Sequence, residues 1–460
     1  MTSIDPAIFR AYDIRGKALT QLTPEGCELI GKAFGSIVRE KYNVEHPKVV
    51  LGRDARTHSP LLEDAMRRGL VSTGCEVWDI GMTPSPLNYF TICHRELDAG
   101  VQITASHNPK EDNGVKLQIR GAEAYSGDDL QTLRWRIDSG NFLAGQGMST
   151  SYDAVSPYLE YLSIKFGTFG EHRKIVVDAG NGVAGPVNVQ ALKNAGFDVI
   201  ELFTEPDGTF PNHQPDPSKH DTLKELQLKT QMEHAVAGIA FDGDGDRMGV
   251  VDELGHIRSA DEILLLLAQD LLSRYPGSPV IFTVSNSEML MTELLRLGGK
   301  PVMTKVGHSF VEHAMREKGA KIGGEQSGHF FCAEDYFGFD DALVAALRFL
   351  HALGNRSVSQ AMATFPLVVS APELRPFCPD DKKADVVRHV TEHFAGRYPV
   401  ITLDGVRINF GDGAWGGIRM SNTSPCLSIC LEARTQEKLK AIEDEVLNHM
   451  KRYPEVRFDS

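Results

Sequence analysis

The sequence predicts an α/β protein: three related domains, each built on a mainly parallel sheet, followed by a C-terminal α+β domain. Short apolar runs rich in β-branched residues alternate with stretches of helical periodicity, which is the pattern of β-α-β units. Three of these runs end in loops rich in polar and charged residues. Ligands bind beyond the carboxyl ends of the strands in open α/β sheets, so the domains are expected to surround one central cleft.

The predicted elements follow one another in a regular order. Three strand-helix-strand units are expected, at 49–51, 60–73 and 77–80, at 175–177, 187–195 and 199–202, and at 280–284, 287–297 and 302–303. Further strands are predicted ahead of the three polar loops, at 100–103, 238–241 and 320–322. The tail differs, with strands near 399–403 and 427–433 and a helix near 436–451, which is typical of an α+β domain.

Changes of composition mark the candidate domain boundaries. Residues 139–156 are rich in Gly and Ser, and Ser156 followed by a proline is predicted to cap a helix. Ser259 and Glu262 have the spacing of a capping box. A Pro-rich stretch at 366–380 precedes the tail. The expected domains are residues 1–153, 154–256, 257–368 and 369–460.

Composition narrows the class of protein. The 460 residues are 42% hydrophobic and 24% charged, which is ordinary for globular domains. A net charge of −14 disfavours nonspecific binding of nucleic acid, and no apolar run approaches the roughly 20 residues of a membrane span. The seven cysteines are scattered without a CxxC pair, and the N-terminus lacks a signal-peptide pattern. A reduced cytoplasmic protein without a zinc site is therefore expected. The sequence leaves the oligomeric state open, with a monomer slightly favoured.

The sequence Asp242-Gly-Asp-Gly-Asp246 predicts a metal site. Three carboxylates this close repel one another, and the glycines let the backbone curl so that Asp242, Asp244 and Asp246 converge. A hard divalent cation is the natural partner of such oxygens. A solvated acidic turn and an EF-hand are the alternatives. Arg247 stands where the EF-hand requires glycine, and the flanking residues read as strands.

Ser106, in Thr104-Ala-Ser-His-Asn-Pro109, is a candidate nucleophile beside His107, although a serine in such a loop can also be a turn former. Asn113-Gly114 is predicted to form a tight turn before a strand that begins at Val115. Alternation along that strand places Lys116 on the face opposite Val115, so Lys116 either projects into a site or faces solvent.

Two further polar segments suit a sugar phosphate. Glu325, Ser327 and His329 share one face of an extended segment and could bind sugar hydroxyls. His308 precedes a helix that Ser309 and Glu312 are predicted to cap. Arg419, Ser421, Asn422 and Thr423 combine a guanidinium with short polar side chains after a glycine-rich stretch, which suits phosphate oxygens. Structural loops are the alternative in each case.

The segment 175–185 matches a dinucleotide-binding fingerprint. Gly180, Gly182 and Gly185 follow a predicted strand and open a helix, and Glu201 lies about twenty residues further on. An NAD-dependent dehydrogenase is therefore an alternative enzyme. That interpretation leaves the Asp triplet without a role.

Taken together, the motifs resemble those of the α-D-phosphohexomutase superfamily, and specifically its bacterial phosphomannomutase/phosphoglucomutase branch. The resemblance covers nearly the whole chain through five motifs in family order, which begin at Phe9, Thr104, Asp242, Gly324 and Arg419. It implies an isomerase that moves a phosphoryl group between the 1- and 6-positions of glucose or mannose phosphate, with Mg²⁺ as cofactor and a hexose 1,6-bisphosphate as activator.

The resemblance also implies a role for each candidate residue. Ser106 would be the phosphorylated residue and, with the Asp triplet, would hold Mg²⁺. His107, Lys116 and Arg247 would lie beside the transferring group, and proton transfer would fall to Arg15, Lys116 or His329. The substrate-binding residues would be Tyr12, His308, Glu325, Ser327, Arg419, Ser421, Asn422 and Thr423.

One departure from the branch pattern bears on the substrate. The branch usually supplies a lysine after the strand at 280–284, whereas this chain has Ser285 and Asn286, as phosphoglucosamine mutases do. A phosphoglucosamine mutase is therefore the nearest alternative. A sugar-phosphate sensor that binds without turnover is another.

Overall fold

The computed structural model describes residues 4–10, 12–421 and 424–458. They form two compact units, and each unit draws on two separate stretches of the chain. Unit 1 comprises the residues up to Ile263 together with Ser327–Ala361. Unit 2 comprises Leu264–Gln326 together with the residues from Met362 onward.

The first part of unit 1 is a mixed sheet covered by helices. Its elements are β1 (Ile14–Lys17), α1 (Pro24–Tyr42), β2 (Lys48–Arg53), α2 (Ser59–Ser72), β3 (Glu76–Met82), α3 (Ser85–His94), β4 (Ala99–Ile103), β5 (Asp112–Ile119), β6 (Glu123–Ala124), α4 (Asp128–Ser139) and β7 (Met148–Ser151). The strand order is β1-β5-β4-β2-β3-β7, with β6 on β5. The pairs among β4, β2, β3 and β7 are parallel, and β5 is antiparallel to both of its neighbours β1 and β4.

The predicted turn at Asn113-Gly114 is wrong, because both residues lie inside β5. Gly114 pairs with Arg15 of β1, and a Cβ added there would lie 2.5 Å from the carbonyl oxygen of Ile14 and 2.6 Å from that of Thr104. The glycine is therefore required for close packing of backbone rather than for a turn.

The second sheet of unit 1 has its own helices. The elements are α5 (Val155–Phe166), β8 (Lys174–Asp178), α6 (Gly185–Asn194), β9 (Asp198–Leu202), α7 (Lys224–Met232), β10 (Ala237–Phe241), β11 (Met248–Asp252) and β12 (Ile257–Arg258). The order is β12-β11-β10-β8-β9, with β8 parallel to β9 and β10. The predicted cap at Ser156 is wrong: α5 begins at Val155, and the carboxylate of Asp153 accepts the N–H groups of Val155 and Ser156.

Unit 2 begins with a parallel sheet. After α8 (Ala260–Arg274) come β13 (Pro279–Thr283), α9 (Glu288–Arg296), β14 (Lys300–Thr304), α10 (His308–Lys318) and β15 (Ile322–Gly324), and β13 is parallel to both β14 and β15. The capping box ahead of α8 is confirmed, since Ser259 Oγ accepts the N–H of Glu262 and Glu262 accepts the N–H of Ser259.

The chain then returns to unit 1 with β16 (Phe330–Cys332) and α11 (Ala342–Leu353), and all but the last residue of α12 (Val358–Met362) belongs to this stretch. The returning segment completes an aromatic cluster. The Phe337 ring lies 6.0 Å from that of Phe90, and the hydroxyl of Tyr158 donates to Asp341 at 2.9 Å. Asp341 also caps α11 through the N–H of Val344.

The C-terminal part of unit 2 is an antiparallel sheet with two long helices. It contains β17 (Val369–Ser370), α13 (Asp380–Ala395), β18 (Val400–Ile401), β19 (Val406–Gly411), β20 (Ala414–Met420), β21 (Leu427–Ala433) and α14 (Gln436–Met450). The strand order is β17-β21-β20-β19-β18. Three mainly parallel α/β sheets followed by a C-terminal α+β domain were predicted, and this fold class is confirmed. Among the described residues, no helix is both long enough and apolar enough to cross a membrane.

Candidate active site

Ser106 lies in the loop that follows β4, beyond the carboxyl end of that strand. Its backbone is left-handed, with φ of 51°, which is uncommon for a residue that carries a side chain. Thr104 Oγ1 accepts the N–H of Ser106 at 2.9 Å, and Ser106 is only 1% exposed. Backbone outliers of this kind cluster at functional sites when the surrounding structure holds them in place.

The Asp triplet lies in the turn between β10 and β11. Oδ1 of Asp242 accepts the N–H groups of residues 245–247 at 3.0 to 3.1 Å, so this carboxylate itself shapes the turn. Oδ2 of Asp242 accepts a hydrogen bond from Ser106 Oγ at 2.6 Å. The structure therefore brings the candidate nucleophile into direct contact with the acidic loop.

Lys116 extends from β5 into the acidic loop. Its Nζ lies 2.7 Å from Asp244 Oδ2 and also donates to Asp246 Oδ2. Val115 and Leu117, on either side of it, belong to the hydrophobic core, so the predicted alternation along the strand is confirmed. Lys116 is 4% exposed, which excludes a solvent-facing lysine.

The charges of this cluster are strongly coupled. Burial, and then the charges of Asp246 and Asp244, raise the pKa of Asp242 well above its usual value. Burial alone would also raise the pKa of Asp246, but Lys116 and His329 outweigh it and hold that pKa well below its usual value. Burial opposes the charge of Lys116, yet Asp244 and Asp246 raise its pKa well above normal. Lys116 is therefore held as a cation among carboxylates.

The acidic loop has the chemistry of a divalent-cation site. Carboxylate oxygens of Asp242, Asp244 and Asp246 lie within 4.8 Å of one another. Oδ1 of Asp244 and Oδ1 of Asp246 are buried and accept no hydrogen bond from the described residues. Oxygen ligands of this kind suit Mg²⁺. An EF-hand is excluded because strands flank the loop, and Glu253 accepts a hydrogen bond from Ser359 instead of turning to the triplet.

Arg247 and His329 lie beside the triplet. Nε of Arg247 donates to Nε2 of His329 at 3.2 Å. Nδ1 of His329 lies 3.1 Å from Ser327 Oγ. The same Nε2 lies 3.4 Å from Asp246 Oδ1. These contacts join two motifs that are about eighty residues apart in the sequence.

Arg15 projects from β1 toward the serine loop. Its Nε donates to Asp13 at 2.7 Å, and its Nη1 donates to Asn108 Oδ1 at 3.0 Å and to the carbonyl of Ala105 at 3.3 Å. Tyr12, which is half-buried, lies two residues ahead of β1. The N-terminal motif thus supports the loop that carries Ser106.

His107 is neutral in this environment. Its Nδ1 lies 3.1 Å from Ser106 Oγ. Burial, together with the charges of Arg247 and Arg15, lowers the pKa of His107 well below its usual value. Because the Ser106 hydroxyl already donates to Asp242, a hydrogen bond between His107 and the serine requires the ring to be the donor, through its Nδ1–H.

Two predicted sugar-binding residues lie in unit 2. Glu325 follows β15, and its Oε1 accepts the N–H of Gly307 at 2.8 Å. His308 is the first residue of α10, so the predicted cap at Ser309 and Glu312 is wrong. The helix begins one residue earlier, after Gly307 with φ of 133°, a conformation that strongly favours glycine. Ser327 and His329 belong to unit 1.

Arg419 lies near the end of β20 in unit 2. Its Nη2 is 4.0 Å from Glu373 Oε1, a loose ion pair. Its Nε is buried and donates no hydrogen bond within the described part of the chain. A buried donor without an acceptor favours an anionic ligand at this position.

Ser421 begins the loop that follows β20. Its Oγ accepts a hydrogen bond from Arg375 at 3.2 Å, and its carbonyl accepts one from Lys383 at 2.7 Å. The other two predicted phosphate-binding residues of this loop, Asn422 and Thr423, lie outside the described residues. Arg375 and Lys383 add positive charge that the sequence interpretation did not include.

The glycine-rich segment 179–185 supports the acidic loop. The N–H of Val183 donates to the carbonyl of Gly243 at 3.1 Å, and a Cβ on Gly182 would lie 2.9 Å from the Cα of Gly243. Glu201 is bound by Lys193 and Thr204. The glycines therefore permit close packing of two loops.

Sequence reasoning missed four residues of this region. Arg56 and Asp54, just after β2, bind the serine loop, and Gln214 donates to the carbonyl of His107. Asp340 is buried 3.8 Å from His329, and burial followed by the charge of Asp246 raises its pKa to about 7. Asp54 and Arg56 could have been found, because they also follow the carboxyl end of a predicted strand.

Comparison with protein-family models gives four successive matches. They are described as phosphoglucomutase/phosphomannomutase α/β/α domain I at residues 6–143, domain II at 156–255, domain III at 259–367 and the C-terminal domain at 374–449.

Three known proteins are similar over their full length. A phosphomannomutase/phosphoglucomutase from Pseudomonas aeruginosa is 40% identical over 98% of this chain and 96% of its own. A phosphoglucomutase from Neisseria meningitidis serogroup B is 40% identical over 97% of each chain. A crystal structure of a phosphoglucomutase/phosphomannomutase family protein from Burkholderia thailandensis superposes with a TM-score of 0.92 at 38% identity, covering 99% of each chain.

The fold, the domain matches and the full-length relatives define a phosphohexomutase, an isomerase. The chain belongs to the phosphoglucomutase/phosphomannomutase family. Membership of this family excludes the alternative interpretation of the chain as an NAD-dependent dehydrogenase.

Proposed function

We propose that the chain moves a phosphoryl group reversibly between the 1- and 6-positions of glucose phosphate or mannose phosphate, with Ser106 as the relay. The observation that carries the proposal is the contact of Ser106 Oγ with Asp242, at 2.6 Å, inside a buried acidic site that also holds Lys116. The names of the relatives from Pseudomonas aeruginosa and Neisseria meningitidis support the choice of sugars.

In the proposed reaction Ser106 carries the phosphoryl group. A free hydroxyl of the sugar phosphate attacks the phosphorus, and the bond from phosphorus to the serine oxygen breaks as the new bond forms. The products are a hexose 1,6-bisphosphate and free Ser106. After the bisphosphate turns around, Ser106 takes the other phosphoryl group, and the isomerised monophosphate leaves. A bisphosphate supplied from solution would activate the enzyme by phosphorylating Ser106.

The proton of the attacking hydroxyl must pass to the protein. Arg15, Lys116 and His329 are the candidates. Arg15 and Lys116 keep their charge in this site and suit stabilisation of phosphoryl oxygens. His329 is the imidazole among the three, and an imidazole is the side chain that most readily exchanges a proton near neutral pH, so it is the best suited of the three to accept one.

The remaining predicted residues have binding roles in this proposal. Asp242, Asp244, Asp246 and the phosphoserine would hold Mg²⁺, which when bound offsets charge on the phosphoryl oxygens. Arg247 and His107 would flank the transferring group. Glu325 and Ser327 would bind sugar hydroxyls, with Tyr12 and His308 beside the sugar. The phosphate that stays in place would be held by Arg419, Ser421, Asn422 and Thr423.

We further propose the four-domain division at residues 1–153, 154–256, 257–368 and 369–460. Each of the first three domains would then contribute one polar loop, and the fourth would contribute the loop that binds phosphate. The first two domains would then hold the phosphoserine and the metal. The other two domains would recognise the sugar and its second phosphate.

Phosphoglucosamine mutase is a second candidate function. Ser285 follows β13 where the glucose/mannose branch usually supplies lysine, and it lines one pocket of unit 2 together with Arg419. The loop Glu325-Gln-Ser327 also has the form used by the glucosamine enzymes.

The relay is tested with Ser106→Ala. We expect this variant to fold, because small polar loop changes usually cost little stability, and to lose nearly all turnover. Intact-mass measurement is expected to find one phosphate on the parent chain and none on the variant. Ser149→Ala, at an exposed position in β7, is the control and is expected to keep both phosphate and turnover. Parent-like turnover by the Ser106 variant would refute the relay.

A further inference from the structure

Arg56 is a fully buried arginine whose hydrogen-bonding capacity is completely used. A guanidinium has five N–H groups. Nε donates to Asp54 Oδ2 at 3.0 Å. The other four N–H groups reach backbone carbonyls of the loop that carries Ser106. These four carbonyls belong to Ser106, at 2.8 Å, Asn108, at 2.7 Å, Pro109, at 2.6 Å, and Asp112, at 3.0 Å.

Asp54 links this arginine to the other side of the loop. Its Oδ2 also accepts Thr104 Oγ1 at 2.9 Å, and Thr104 Oγ1 in turn accepts the N–H of Ser106 at 2.9 Å. Its Oδ1 accepts the N–H of Arg56 and the hydroxyl of Ser59. The N–H and the carbonyl of Ser106 are therefore both tied, directly or through Thr104, to the same ion pair.

A segment that follows β9 covers the ion pair from outside. The ring of Phe210 stacks 5.2 Å from the Arg56 guanidinium. A Cβ on Gly208 would lie 2.2 Å from the carbonyl oxygen of Ala55, so the two backbones are in direct contact. Arg56 is 0% exposed as a result, and no N–H remains to bind a substrate.

We propose that Arg56, held by Asp54, is the positioning residue of the nucleophile. The inference rests on the proposed function of Ser106 as relay. The left-handed backbone of Ser106 is unfavourable by itself, and the hydrogen bonds from both sides keep it in that conformation. With the backbone held, Ser106 Oγ stays at Asp242 through both half-reactions, while the sugar turns between them.

The test is Arg56→Lys. Lysine keeps the positive charge beside Asp54, but its three N–H groups have no planar fork and cannot bind four carbonyls. We expect kcat to fall by about a hundredfold, as for a misplacement of about 1 Å at a reacting group. The Michaelis constant for the sugar phosphate is expected to stay unchanged, because Arg56 does not touch the substrate.

Arg136→Lys is the matched control. Arg136 is a buried arginine of the same sheet domain and pairs with Glu40 of α1. The control is expected to keep the parent kcat. An Arg56→Lys variant that folds and keeps the parent kcat, or that loses affinity alone, would overturn the proposal.

A second variant tests the proposal in case Arg56→Lys does not fold. Thr104→Val removes only the hydroxyl that joins Asp54 to the N–H of Ser106. We expect a folded protein, verified by circular dichroism, with kcat lowered by about tenfold, because one buried donor loses its partner. An unchanged kcat in this variant would also count against the proposal.

Failure of the proposed function gives a different result. Phosphate on Ser106 of the parent is measured by intact mass in the same series. A parent that turns over without phosphorylation of Ser106 would refute the relay itself. A parent that relays through Ser106, with Arg56→Lys and Thr104→Val as fast as it, would refute only the positioning role.

Discussion

Lys116 carries its charge where burial alone would remove it. Lys116 and the carboxylate of Asp246 hold each other in their charged forms, and Asp244 Oδ2 is a second acceptor for the ammonium group. The free oxygens of the two aspartates remain without hydrogen bonds among the described residues. The site is therefore prepared for a cation in addition to the lysine.

We expect chelation to remove activity and Mg²⁺ to restore it, and Asp244→Asn to require much more Mg²⁺. Loss of groups that merely orient a metal ligand costs about 10- to 100-fold in metal affinity, so loss of a direct ligand is expected to cost at least that. The measurement is activity against free Mg²⁺. Asp221→Asn, at an exposed position, is the control. Full activity of metal-stripped Asp244→Asn would contradict the assignment.

Arg419→Ala is expected to weaken substrate binding and to release the bisphosphate intermediate. The buried Nε has no acceptor among the described residues, so an anion is its natural partner. Loss of a hydrogen bond to a charged group costs about 1.5–3 kcal/mol, or roughly ten- to a hundredfold in the Michaelis constant. Bisphosphate in the medium is followed by mass spectrometry, with Arg388→Ala on the exposed face of α13 as control. If neither quantity changes, the phosphate is bound elsewhere.

At the scale of the element, strands were predicted well because their apolar runs are long and their flanks polar. Strand β10, buried at every residue, and the capping box ahead of α8 are examples. Predictions from local sequence patterns were wrong where a tertiary contact determines the secondary structure. Asn113-Gly114 has the sequence of a turn, but the antiparallel pairing of β5 with β1 extends through it.

The candidate site shows the same contrast between residues that a local sequence pattern reveals and residues whose role depends on a tertiary contact. Ser106, Lys116 and the Asp triplet stand out because their residue types suit phosphoryl transfer and they follow or occupy predicted strands. Arg56 follows the carboxyl end of a predicted strand, but its role could not be predicted, because four of its N–H groups bind backbone carbonyls, which every residue has.

Helices α13 and α14 carry a pair of stacked histidines with a predictable response to pH. The rings of His393 and His449 lie 3.8 Å apart. Burial, followed by the charges of His393 and Arg452, lowers the pKa of His449 from 6.5 to about 4. Between these values the unfolded chain binds a proton that folded His449 does not. The free energy of unfolding of unit 2 should therefore fall as the pH drops through this window.

The measurement is the urea midpoint of unfolding of unit 2 between pH values of about 7 and about 4. His449→Gln is expected to flatten the dependence on pH, because glutamine does not titrate. His313→Gln, at an exposed position on α10, is expected to keep the parent dependence. A parent midpoint that does not change with pH would contradict the prediction.

At the scale of the whole molecule, the proposed function predicts which sugar phosphates the enzyme turns over. We expect comparable turnover of glucose and mannose phosphates and much poorer turnover of glucosamine phosphate. Glucose and mannose differ only at C2, and the proposed roles of Glu325 and Ser327 concern hydroxyls that the two share. Discrimination should be on the order of the 1–3 kcal/mol of one modest contact, and we assign no partner to an amino group.

The measurement is the ratio of kcat/KM for the three sugar phosphates at the same Mg²⁺ and activator concentrations. Glucosamine phosphate as the best substrate would overturn the branch assignment and leave the relay through Ser106 intact. Ser285→Lys restores the residue usual in the glucose/mannose branch and tests whether position 285 contributes to the ratio.

The return of the chain to unit 1 at Ser327–Ala361 has a consequence for synthesis on the ribosome. A nascent chain that ends at Ile263 has both sheets of unit 1, but Phe90 and Tyr158 still lack Phe337 and Asp341. By the time residue 361 emerges, the first stretch of unit 2 has already been made. Unit 1 therefore cannot complete its folding before the synthesis of unit 2 has begun, although domains generally fold in the order in which they are synthesised.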